Sequence, residues 1–175
     1  MFDQLIIFGS TGHLLAGDQR PALVLAGEFV RSVLERRVTD RGDIAARAAE
    51  VGVDLAAGAG VVIARAHPQV AQEGEWRARV LTVALRVLRT KAQGTVAVIG
   101  DGEVAEVRAI VPASETAILV RAAAALGQEL RESLAGFTVT VAHSRRTDDA
   151  VDVYRAGKEA LLAVNVAEAE GLESL

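Results

Sequence analysis

Near the N-terminus the apolar run Leu5-Ile6-Ile7-Phe8 meets Gly9-Ser10-Thr11-Gly12. A glycine turn after a short apolar strand lets backbone N–H groups approach a pyrophosphate, and the next helix adds the positive end of its dipole. Gly9, Thr11 and Gly12 are the positions that would hold a cofactor in this alternative reading, whereas the main reading of the chain expects no cofactor. Further along, Asp101 and Glu103 flank Gly102. Carboxylates on such a turn are the hard oxygen ligands with which divalent ions bridge a triphosphate. Paired ions need several carboxylates, and the preceding apolar run, residues 61–66, leads into His67-Pro68 through Ala64-Arg65-Ala66 with no acid. Asp101 and Glu103 consequently read as turn residues, and no catalytic residue, metal ligand or cofactor is expected from this pair. Arg77, Arg79, Arg86, Arg89 and Lys91 could meet a phosphate or an acidic partner, but they read as solvated helix surface. Ser144-Arg145-Arg146 could hold an anion and reads as a polar strand exit. His13, His67 and His143 lie far apart, each beside a turn, and the chain has no cysteine, which excludes thiolate chemistry and argues against a histidine-built site.

The elements that must position these groups fit within one domain, or one domain with an appendage, at 175 residues. With 51% hydrophobic and 24% charged residues, the chain has enough apolar surface to offset its conformational entropy. Its 19 Lys+Arg against 23 Asp+Glu give a net charge of -4, the opposite of what a stand-alone nucleic-acid binder needs. No apolar run approaches the ~18 residues that span a bilayer, and no basic-then-apolar leader opens the chain. A cytoplasmic location and no membrane partner are expected.

Periodicity then orders the chain. After Pro21, Leu23, Ala26, Val30, Val33 and Leu34 recur at three- and four-residue steps, predicting an amphipathic helix over 22–38. Thr39, Asp40 and Asp43 offer caps for a second helix that Gly52 can end. Residues 61–66 are β-branched and stop at Pro68. A long helix follows Glu73 and Glu75, with Trp76, Val80, Val83 and Val87 on one face. Residues 95–100 and 107–112 flank Asp101-Gly102, the signature of an antiparallel hairpin. Ile118, Ala122, Leu126, Leu130 and Leu134 share a helical stripe that survives Gly127, and Gly136 ends it. Residues 137–142 alternate bulky and small, as a strand does, and Val153, Gly157, Ala160, Leu161, Val164 and Ala167 form a last helical stripe. The order from residue 61 is strand, helix, hairpin, helix, strand, helix, an α+β class with helices packed on a mostly antiparallel sheet.

Two segments carry a resemblance. Residues 36–66, with Arg47, Ala48, Gly52, Asp54 and Leu55 leading into the first strand, and residues 138–171, with Ser144, Arg145, Tyr154, Ala156, Ala160 and Leu161, resemble the GGDEF-like middle domain of bacterial CdaR/PucR-type regulators of carbohydrate diacid and purine catabolism. The resemblance covers residues 29–171. It implies a degenerate nucleotide-cyclase, ferredoxin-like architecture for a regulatory domain at 29–175, with 1–28 contributing a strand-turn and the start of the lead helix. It also implies a non-catalytic signalling or dimerisation role in transcription regulation, with DNA reached only through a separate helix-turn-helix segment outside these residues. Homodimerisation is expected through the lead helix at Leu23, Val30, Val33 and Leu34, unless that stripe packs on its own core. An alternative rests on residues 5–23, which resemble the opening strand-turn-helix of glucose-6-phosphate dehydrogenases. That likeness implies an NADP-binding Rossmann-like fragment using Gly9, Thr11 and Gly12. Such a site also needs a second, parallel strand, whereas Arg36 and Arg37, at a suitable chain distance, fall in a helical pattern.

Overall fold

The structure of the chain is a computed structural model that describes residues 20–172. Helix α1 spans Arg20–Leu34 and starts beside Pro21, a residue preorganised for a first helical turn. It runs across position 28, so the lead helix lies on both sides of the expected boundary there. Arg36 takes φ 58° just beyond it, and Arg37 N–H returns to Ser32 O at 2.8 Å. Helix α2, Arg41–Glu50, begins at Asp40, whose carboxylate accepts from Asp43 N, and ends before Gly52 at φ 74°.

Strand β1, Ala59–Pro68, outreaches the β-branched run at both ends. Helix α3 is Trp76–Lys91. The hairpin pairs β2, Val96–Ile99, with β3, Ala105–Pro112. Its last rung is Ile99 opposite Val107, with Gly100 N–H donating to Glu106 O at 2.9 Å. The connection is therefore a wider loop than the two-residue turn an Asp-Gly pair suggests, because Gly100 on one side and Ala105 and Glu106 on the other still lie between the last rung and Asp101–Val104. Helix α4, Thr116–Ser133, leads to β4, Phe137–His143. A 3-10 turn at Ala150–Asp152 enters α5, Val153–Ala169.

The sheet order is β2-β3-β1-β4, and every pairing among the described residues is antiparallel. This is the ferredoxin-like, split βαβ arrangement, α+β in class, and among the described residues there is no parallel strand pair of the kind a dinucleotide-binding fold requires. Helices cover both faces. On one face, Val62, Ala64, Ala66, Val107, Ala109, Val139 and Val141 meet α3 and α4 through Val80, Leu88, Leu119, Leu126 and Leu130. On the other, Val61, Ile63, Val98, Ile110 and Ala142 meet α1, α2 and α5 through Phe29, Val30, Val33, Ile44, Ala160 and Val164. Small residues on the strands let the helices approach closely. A Cβ on Gly60 would lie 2.3 Å from Leu119 Cδ1, far inside any real contact, so α4 seats its buried leucine where β1 has no side chain. Trp76 and Phe137 close the far end of that layer with ring centroids 5.4 Å apart.

Candidate functional site

Position 65 of β1 points to the α5 face of the sheet, where apolar neighbours Val61 and Ile63 are buried. Its partner across the ladder is Glu106. Arg65 Nε donates to Glu106 Oε2 at 2.7 Å, and its Nη1 donates to Glu168 Oε2 at 2.6 Å and Asn165 Oδ1 at 2.8 Å. One guanidinium thus ties β1 to β3 and to the last turns of α5. Arg108 Nε donates to the other oxygen of Glu106 at 2.6 Å, and His67 Nε2 lies 2.7 Å from Glu168 Oε1. The side chains of Arg65 and Glu106 are only 16% and 15% exposed. Burial pushes the Glu106 carboxyl up, but hydrogen bonds from Arg65 and Arg108, together with their charges, outweigh it and hold the group below the usual carboxylate value.

This network floors a cleft of about 530 Å³ lined by Arg65, His67, Glu106, Arg108 and the loop Gly100–Val104. The cleft lies at the end of β1 and beside the hairpin loop. Glu106 and Glu168 are turned to guanidinium and imidazole groups, while Asp101 and Glu103 sit exposed on the loop. Among the described residues, no three His, Asp or Glu side chains are grouped to hold a metal ion. The loop is tied to α3, because Arg77 lies over the Trp76 ring at 4.9 Å and donates to Gly100 O at 3.1 Å and to Gly102 O.

Of the other basic positions of α3, two are engaged by the protein. Arg86 pairs with Glu129 at 2.6 Å and Arg89 donates to Thr95 O at 3.1 Å, while Arg79 and Lys91 are exposed. Ser144-Arg145-Arg146 forms a structural knot. Ser144 Oγ accepts from Val61 N at 2.9 Å and donates to Arg145 O at 2.7 Å. Arg145 pairs with Glu159 at 2.7 Å. Arg146 donates to Ala57 O and Ala113 O, each at 2.8 Å, across Gly58, whose φ of 97° and missing Cβ leave room for the guanidinium. A second cleft of about 480 Å³ lies between α2 and the 3-10 turn, lined chiefly by alanines and bridged by the Arg41–Asp149 ion pair.

The lead-helix stripe divides. Val30 and Val33 are 0% and 2% exposed in the chain's own core, so neither is available for self-association of the folded chain, because α1 packs on β2 and α5. Leu34 is half-buried and contacts the backbone at Gly157, whose added Cβ would sit 2.8 Å from Leu34 Cδ2. Leu23 is exposed, together with Val24 and Leu25. Gly9, Thr11 and Gly12 lie outside the described residues.

The sequence reading passed over Arg65, Glu106 and Glu168 as a unit. A signal existed for the first two: opposite charges embedded at inward-facing positions of two β-type runs. The pairing of Arg65 with Glu168, on a helix about a hundred residues away, depends on topology.

No helix among the described residues is long and apolar enough to cross a membrane. Comparison with curated proteins and with solved structures gives no significant match. A family model described as the GGDEF-like domain matches residues 35–166, from the end of α1 through most of α5. The match spans the whole antiparallel sheet and its helical layers, and on that ground the chain belongs to the GGDEF-like domain family.

Proposed function

We propose that this domain is a non-catalytic signalling and dimerisation module of a CdaR/PucR-type transcriptional regulator, relaying shape and making no bonds. The observation that carries the reading is the charge matching in the hairpin cleft: Glu106 is held by Arg65 and Arg108, and Glu168 by Arg65 and His67. Carboxylates spent on internal cations are poor ligands for paired magnesium ions, which require several free oxygen donors. The same bridge links the end of β1, the hairpin and the end of α5, so a displacement of α5 is felt at the loop Gly100–Val104. Self-association in this reading uses the exposed Leu23, Val24 and Leu25 at the start of α1, and DNA is reached through a separate helix-turn-helix segment. The family membership supports a signalling role in general.

Incubation with GTP and Mg2+ is expected to yield no cyclic dinucleotide and no pyrophosphate, and measurable turnover would overturn the non-catalytic assignment. Sedimentation velocity at tens of micromolar tests the dimer: the wild type should sediment as a dimer and Leu25→Arg as a folded monomer. A wild-type monomer would remove that part of the reading. A helix-turn-helix encoded in the same reading frame would support the regulator context, and its absence would remove it.

A further inference from the structure

At the entry of α5, Tyr154 carries an unusual load of positive charge. Arg36 lies 4.7 Å from its ring centroid, and Arg155 and Lys158 each lie 5.7 Å away. Arg155 Nε also donates to the phenol oxygen at 3.0 Å. This hydrogen bond, followed by the charges of Arg155, Arg36 and Lys158, outweighs desolvation and draws the phenol below its ordinary value. Among the described residues, the ion-pair partner of these cations is Asp152, 3.1 Å from Arg155. Three local rules are broken here at once. Arg36 holds a left-handed φ of 58°, which a glycine would adopt without strain. Arg155 occupies the first turn of α5, which holds no acid beyond the N-cap Asp152, where the macrodipole favours negative charge. Like charges converge on one ring in a chain whose net charge is -4. Such concentrations of locally unfavourable choices mark functional surfaces.

Next to the cations is a small apolar notch of about 60 Å³, lined by Leu34, Ile63, Gly157 and Leu161 and rimmed by Lys158 and Arg108. The side chain of Arg155 is 69% exposed, and Arg36 and Lys158 are exposed, so the surface is open to a partner.

We propose that Tyr154, Arg36, Arg155 and Lys158, with the adjoining Leu34/Gly157/Leu161 notch, form a docking surface for an acidic peptide segment of a partner protein that carries one apolar anchor residue. Guanidinium groups match carboxylates in paired hydrogen bonds, the aromatic ring fixes their orientation, and the notch gives an aliphatic side chain a place that a sugar-phosphate backbone cannot use. The chain's overall negative charge disfavours a nucleic acid as occupant at long range. This surface adjoins the hairpin cleft at Arg108, which borders both, but its cations at Tyr154 lie outside that cleft, and the proposal stands whether or not the cleft is catalytic.

The test uses a short fluorescein-labelled peptide of Glu and Asp with one central Leu, followed by anisotropy against the whole chain at low and physiological salt. The expected result is salt-sensitive binding that weakens at least about tenfold in the double variant Arg155→Glu with Lys158→Glu. Replacing the peptide's Leu by Ala should cost roughly threefold to tenfold. Arg121→Glu, on α4 at the opposite face of the sheet, should leave the affinity unchanged. Absence of binding at low salt, equal loss in Arg121→Glu, an unaffected charge-reversal variant, or tighter binding by a single-stranded oligonucleotide of equal charge would each overturn the proposal. Lys158→Gln gives a partner-free arm: its melting midpoint should hold or rise by about 1 °C, and a clear fall would show that the cations serve the fold instead.

Discussion

Arg65→Met removes the centre of the buried ionic bridge and keeps an aliphatic stem of similar reach. Arg65 loses hydrogen bonds to Glu106, Glu168 and Asn165 at 2.7, 2.6 and 2.8 Å. Bonds to charged groups contribute about 1.5 to 3 kcal/mol each when well buried, but these carboxylates retain 15% and 25% exposure, which screens them. Neither acid is left alone, because Glu106 keeps Arg108 at 2.6 Å and Glu168 keeps His67 at 2.7 Å. The full penalty of orphaning a buried charge, roughly 3 to 5 kcal/mol, is therefore not reached. A loss of about 2 kcal/mol is expected, equivalent to about 4 to 8 °C in the melting midpoint for a domain of this size. Urea titration followed by circular dichroism, with unchanged m, measures it. The folded Glu106 carboxyl lies below its unfolded value. Its contribution is thus complete above the unfolded value of about 4.3 and is lost as pH falls through the folded value. Wild type and variant should converge on acidification below about pH 4. A difference below about 0.5 kcal/mol at neutral pH, or a gap undiminished in acid, would refute the bridge as a stabilising element.

Other expectations follow from single contacts. Gly58→Ala forces a Cβ to 2.7 Å from Arg146 Nη2 at a φ of 97°, and should destabilise by about 2 kcal/mol in a thermal melt. Leu119→Ala, at a fully buried site, should cost about 3 to 4 kcal/mol by chemical denaturation, while the adjacent and 48% exposed Val120→Ala stays within about 0.5 kcal/mol. Asp40→Ala removes the acceptor for Asp43 N at the start of α2, costing about 1 kcal/mol and raising hydrogen exchange in that helix first.

Periodicity made the elements legible. Steps of three and four in α1, α3, α4 and α5, the cap at Asp40 and the alternation in β4 are local signals, set by how side chains repeat around a helix or across a strand. They located each helix and strand of the described residues to within a few positions. The hairpin was legible as a pairing, while its loop length was not: Gly100 bonds to Glu106 beyond the last rung, a matter of ladder geometry and not of the Asp-Gly pair. The lead-helix stripe was visible, yet its partner was not, since an apolar face looks the same whether it meets its own core or a second copy.

The α+β class, the order of elements and the lack of an acid at the end of β1 could be read from the chain alone, because they depend on residue type and short-range spacing. That Arg65 meets Glu106 and Glu168, that Arg146 threads past Gly58, and that Arg36 joins Arg155 and Lys158 at Tyr154 became fixed on folding. Arg155 and Lys158 reach the ring from one and four positions along the same helix, but Arg65 with Glu106 and Glu168, Arg146 with Gly58, and Arg36 with Tyr154 are far apart in the chain, and such pairs are fixed by strand order and helix packing, which no local period encodes.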